Sequence, residues 1–185
     1  MKFGLFVVSV IAAAATFVGA LPEAEDVKRD IEARAPQACG NPRRAVPWFR
    51  AYNPRVVDHF YTANRGEWRN SFRLGYNNEG TAAYVFSNSQ PGTVPFFRLY
   101  SSGGTDHFYT TNAQERDNAA SNLGYKNEGI TGWIYPNDNC GGVPLYRLYN
   151  PTGIDHFYTT SASERDSAAR NGYNKEGIAG YVFPF

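Results

Sequence analysis

A short segment able to do chemistry, Asp-His-Phe-Tyr-Thr, is written three times, starting at Asp58, Asp106 and Asp155. All three histidines of the chain lie in it: His59, His107 and His156. An Asp beside a His is the raw material of proton transfer or ligand capture. Alternation along a strand puts His and Tyr on one face (His59 with Tyr61) and Asp and Phe on the other. Three readings of the histidines stay open. Each ring is packed inside, its nitrogens satisfied by backbone or a carboxylate. Or each contacts a ligand in one of three sites. Or all three converge as a three-histidine metal site, a geometry that suits zinc, although nothing in the spacing demands it.

Arginines recur as well, at Arg50, Arg98 and Arg147 in "FRAY", "FRLY" and "YRLY". A guanidinium pairs bidentately with carboxylates and stacks on aromatic rings. The bland alternative is an internal ion pair to Glu79, Glu128 or Glu176, or to the Asp before each His. Those glutamates precede a glycine, where a turn is expected. Glu67, Glu115 and Glu164 complete capping boxes with Asn64, Asn112 and Ser161, and capping explains them fully. Aromatic residues make up 16% of the chain. Rings interleaved with polar groups suit sugars, but a small core uses the same rings. The candidate ligand-binding set is therefore Arg50, His59, Tyr61, Arg98, His107, Tyr109, Arg147, His156 and Tyr158. No catalytic residue, metal ligand or cofactor is assigned. The chain holds no nucleophile elbow, metal motif or phosphate loop, and an enzyme would usually break the symmetry at one unit.

The elements that must position these residues also come in threes. Units run over 47–94, 95–143 and 144–185, with starts 48 and 49 residues apart. A period of this size marks a repeat architecture whose units cannot bury their apolar faces alone. Each unit reads strand, strand, short helix, strand. In the third these are Leu145–Tyr149, His156–Thr159, a helix entered at Ser161 and stopped at Gly172, and Gly180–Phe183. The expected fold is β-rich with short helices: three tandem β-β-α-β repeats in one closed pseudo-threefold domain, propeller-like or trefoil-like. An open solenoid fits less well, since the last repeat carries no polar cap. Unit one departs from the others at Ala51, against Leu99 and Leu148, and at Thr81-Ala82-Ala83, against Ile130-Thr131-Gly132 and Ile178-Ala179-Gly180. If one site is weak, it is that one.

Lys2, an apolar run over Phe3–Val18 and the small residues Val18-Gly19-Ala20 read as a secretory signal over 1–20. Residues 21–38 read as a pro-segment or tail, with dibasic Lys28-Arg29 and Arg34 as cleavage points. The domain proper is 39–185. In an oxidising compartment the two cysteines, Cys39 and Cys140, should pair. With 18 basic and 17 acidic residues and no basic run, the chain lacks the clustered face that nucleic acid requires. No second long apolar run follows the leader, so no membrane partner is expected for the mature protein. The pattern "LY…DHFYT…E…A…GY..EGI.GYV" resembles a secreted "DHFYT" repeat family of fungi and bacteria, catalogued as a repeat of unknown function and often found beside cell-wall-directed hydrolases. The resemblance implies extracellular work at a surface and supplies no activity. The expectation is a secreted, monomeric, non-catalytic, multivalent binder of cell-wall or surface glycan. A secreted hydrolase or an extracellular matrix protein are the alternatives.

Overall fold

The computed structural model describes residues 38–184. The expected leader and pro-segment lie outside the described residues, Ala38 apart. The first segment forms β1 (Ala45–Asn53), β2 (Asp58–Thr62), α1 (Arg65–Ser71) and β3 (Asn77–Phe86). The second forms β4 (Val94–Ser101), β5 (Asp106–Thr110), α2 (Ala113–Asn122) and β6 (Lys126–Ile134). The third forms β7 (Val143–Asn150), β8 (Asp155–Thr159), α3 (Ala162–Arg170) and β9 (Asn174–Val182). The fold is β-rich with three short helices and two sheets. One sheet has the order β2-β1-β3-β6-β4-β5, the other β8-β7-β9. In each segment the first strand is central, antiparallel to both others.

Two local readings need correction. The Glu-Gly pairs do not form a turn ahead of the third strand. They lie inside it, as bulges. Gly80, Gly129 and Gly177 take φ of 83°, 96° and 100°, and the register slips opposite them, between Phe49 and Ala51, Arg98 and Leu99, and Arg147 and Leu148. A glycine in the left-handed region accommodates the extra residue at little steric cost. The strands therefore run longer than expected. The capping boxes are half-built: Asn64, Asn112 and Ser161 accept from the first-turn N–H groups, but the paired glutamates turn elsewhere.

The core is centred on Trp48, Phe96 and Leu145 from the first strands and Tyr61, Tyr109 and Tyr158 from the second, all fully buried. A further aromatic group, Phe86, Tyr135 and Phe183, packs edge to face at 5.8–5.9 Å. The third strands meet there: Phe86 pairs Trp133, Tyr84 bridges Phe183, and Tyr135 bridges Tyr181.

Cys39 and Cys140 form the expected disulfide, with Cα atoms 5.7 Å apart and a sequence separation of 101. A loop of that length removes on the order of 4–5 kcal/mol of unfolded-chain entropy. Replacing both cysteines with serine is expected to lower the unfolding free energy in urea titration by up to that amount, with a steeper slope because the released unfolded chain exposes more surface. A loss below about 1 kcal/mol would mean that the packing around Gly40 and Tyr135 already fixes this end.

Candidate functional site

The Asp, His and Tyr of the repeated motif reach into a neighbouring segment, while the Thr hydroxyl bonds to the helix glutamate of its own. The Asp58 carboxylate accepts the backbone N–H of His107 through Oδ1 at 2.9 Å, and His107 Nδ1 through Oδ2 at 2.7 Å. Asp106 does the same for His156 at 2.8 and 2.7 Å, and Asp155 for His59 at 2.8 and 2.7 Å. A tyrosine hydroxyl also donates to each Oδ2: Tyr76 to Asp58, Tyr125 to Asp106 and Tyr173 to Asp155. Burial and the adjacent carboxylate push these phenols up, so they stay protonated as donors. All three aspartates are 0% exposed. One oxygen from each lies within 4.8 Å of the others. The trio could offer three oxygens to a cation, yet both oxygens of each carboxylate already take protein donors.

Each aspartate follows a β-branched residue in the left-handed region: Val57 (φ 55°), Thr105 (φ 53°) and Ile154 (φ 53°). Such residues avoid this region, at a cost of roughly 1–3 kcal/mol each. The hydrogen bonds to the carboxylate hold the distortion in place, and the distortion swings each aspartate inward.

The tyrosines of the candidate set are placed where no surface ligand reaches them. Tyr61, Tyr109 and Tyr158 are 0% exposed. Their hydroxyls run in a cycle. Tyr109 donates to the Tyr61 carbonyl at 2.8 Å and accepts the Tyr61 N–H at 2.8 Å. Tyr158 serves Tyr109 at 2.7 and 2.9 Å, and Tyr61 serves Tyr158 at 2.8 and 2.9 Å. The rings meet edge to face, 5.4–5.7 Å apart. Burial drives their ionisation far up, which keeps the cycle protonated.

The arginines and histidines line clefts between segments. Arg98 holds Glu67 bidentately at 2.8 and 3.0 Å and sits 2.7 Å from Glu128 through Nε. The Nε–H direction is poorly aligned, so that contact is an ion pair without a good hydrogen bond. Arg147 holds Glu115 and Glu176, and Arg50 holds Glu164 and Glu79, at 2.9–3.1 Å. The expected pairing with Glu79, Glu128 and Glu176 is therefore present. The capping glutamates missed by that reading are cross-segment anchors. Each guanidinium also lies 5.3–5.4 Å from the centroid of the previous segment's motif phenylalanine: Phe60, Phe108 and Phe157. Burial works against ionisation of Glu67, Glu115 and Glu164. The bonds from arginine and from Thr62, Thr110 and Thr159 outweigh it, and the carboxyls sit below their ordinary 4.5.

Among the described residues, each motif histidine lines one cavity between segments. One of about 710 Å³ is lined by Glu67, Leu74 and Tyr76 from the first segment and Arg98, Tyr100, His107 and Glu128 from the second. One of about 690 Å³ repeats this with Glu115, Leu123, Tyr125, Arg147, Tyr149, His156 and Glu176. The one between the third and first segments measures about 230 Å³ and includes Glu164, Asn171, Arg50, His59 and Glu79. Each histidine commits Nδ1 to the buried aspartate. Nε2 lies 3.9 Å from Glu79 at His59 and 3.8 Å from Glu176 at His156. In each cleft one guanidinium faces two carboxylates, so the lining is acidic before the histidine is considered.

Two expectations follow. Tyr109→Phe removes one hydroxyl that satisfies both a buried N–H and a buried C=O of Tyr61; a loss of about 1–3 kcal/mol is expected in denaturant titration, and an unchanged midpoint would refute the role given to the cycle. For the glutamates, a folded value below the ordinary one means stabilisation that is complete above about pH 4.5 and lost as pH falls through the lower folded value. Melting temperature should drop on acidification below that point, and Glu67→Gln, Glu115→Gln and Glu164→Gln together should flatten the drop. An identical acid slope in the triple variant would count against these ion pairs.

No curated protein and no solved structure matches this chain. The family described as a domain of unknown function, DUF5648, matches residues 47–183, from the start of the first unit to the end of β9. The chain belongs to that family.

Proposed function

We propose that this is a secreted, non-catalytic domain that binds a neutral cell-wall or surface glycan through clefts between its units. In this reading the three segments close into one pseudo-threefold ring. The cycle of contacts from first to second, second to third and third to first supports that closure. The observation that carries the function is the repetition of one cleft chemistry, a guanidinium between two carboxylates with an imidazole edge and tyrosines beside it. Ionised carboxylates and an imidazole nitrogen are acceptors and donors suited to hydroxyls, and apolar side chains at the mouth suit the C–H faces of a pyranose. The guanidiniums are already matched by two carboxylates each, so an acidic polymer gains no free cation and meets surplus negative charge. Several weak sites on one domain gain strength when the target is itself repetitive. Catalysis has less support, because the paired glutamates are pinned on arginine and not presented to a reacting bond.

The test is retention on insoluble glucans and chitin, together with a glycan array. Retention on a neutral polymer, weakened by Glu128→Gln and Arg98→Met in variants that remain folded, is the expected result. Turnover of a polymer without retention would favour a hydrolase. Neither retention nor turnover would favour a matrix role.

A further inference from the structure

The three clefts share their polar framework but not their rims. In the first cleft Leu74 lines the cavity, just before the glycine that ends the helical region, and Ile130, in β6 beside the Arg98–Glu128 pair, lines an adjoining cavity of about 470 Å³ that shares Asn64, Glu67, Arg98 and Glu128 with it. The second cleft has Leu123 and Ile178 at the same two positions. These four side chains are 74%, 50%, 60% and 50% exposed. Single exposed aliphatics need no explanation. Two pairs, on unlike elements, repeated in register around the same arginine–glutamate clusters, are another matter. At the equivalent positions the third cleft has Asn171 and Thr81. It is also the smallest, about 230 Å³ against about 710 and 690 Å³. Tyr100 and Tyr149 line the larger cavities. Their counterpart Tyr52 lies closer to its histidine, with ring centroids 4.4 Å apart against 4.6 and 4.7 Å.

The arginine, glutamate, histidine and aspartate contacts are intact in the poor cleft. A feature present equally in all three clefts is what the fold needs. A feature present in two and replaced in the third is free to follow ligand contact. Leu and Ile in adjoining cavities that share one arginine and its glutamates would cover the apolar C–H faces of consecutive neutral pyranose residues, while the carboxylates and imidazole take hydroxyls. Asn171 and Thr81 offer little apolar surface.

We infer that the domain is bivalent: the clefts rimmed by Leu74/Ile130 and by Leu123/Ile178 bind neutral glycan, and the cleft bearing Asn171 and Thr81 does not. This rests on the glycan-binding reading above and adds the number of sites and the residues that set it. The test is calorimetric titration of the purified domain with laminarihexaose, cellohexaose and chitohexaose. Two equivalents per chain are expected for the hexasaccharide that binds. The pair Leu74→Asn and Ile130→Thr should leave one equivalent. Adding Leu123→Asn and Ile178→Thr should weaken binding at least tenfold. Thr81→Ile with Asn171→Leu should raise the stoichiometry or leave it at two, and cannot lower it. All six positions are exposed, so melting temperatures should hold, and a variant that melts early is replaced by Leu→Ser and Ile→Ser at the same sites. Three equivalents in the unmodified domain, or two after the Leu74/Ile130 change, would overturn bivalency while leaving glycan binding in place. No heat with any hexasaccharide and no retention on wall polymer would remove the glycan reading and this inference with it.

Discussion

Three carboxylates with no access to water sit together inside a domain of fewer than 150 described residues, and the rest of the structure answers to that constraint. A buried charge is tolerated only when hydrogen-bonded and paired. Each aspartate here takes a backbone N–H and an imidazole from a neighbouring segment, and a phenol from its own. The strained residue before it, the second strand that carries the next histidine and the tyrosine after the glycine that follows each helix all serve to bring those donors to the carboxylate. The histidine, once turned to the aspartate, exposes its other edge between segments. The clefts are thus a by-product of how the interior is satisfied.

The neighbouring layers repeat the same directional logic. The phenol cycle joins backbone groups in the core, the arginines clamp the previous segment's helix, and the phenylalanines lie under those arginines. Partly exposed ion pairs taken singly contribute little. Here their value is positional, since they fix helix against strand around each opening.

The period, the strand-strand-helix-strand order and the cysteine pairing were legible in the sequence because each depends on local pattern or on counting. The pairing of Arg98 with Glu128 was legible too, since the alternatives were few. What was hidden was exchange between units. His59 faces Asp155 and not its neighbour Asp58, and three identical five-residue motifs give the sequence no way to rank those partners. The same degeneracy hid Glu67 as the partner of Arg98 behind an ordinary capping motif. Tyr61 looked surface-capable because a five-residue strand buried on both faces has no polar side to betray it. The Glu-Gly bulge read as a turn because glycine in the left-handed region serves both. The rims had a visible signal at Thr81, where unit one departs; Leu74, Leu123 and the change to Asn171 carried no pattern of their own.

The exchange of donors also bears on how the chain reaches this state. The contacts that satisfy the aspartates join residues 49, 50 and 96 positions apart. Loops of that length must close before the donors arrive, and non-local closure is slow. A chain with two segments assembled would leave one carboxylate, one imidazole and one phenol without their opposites in a dry interior. Such half-formed species lie high in free energy, so the three modules, each modest alone, are bound into a single all-or-none transition. An open array lets ends fray one unit at a time; a donor chain in which Asp58 takes His107, Asp106 takes His156 and Asp155 takes His59 has no end from which to fray.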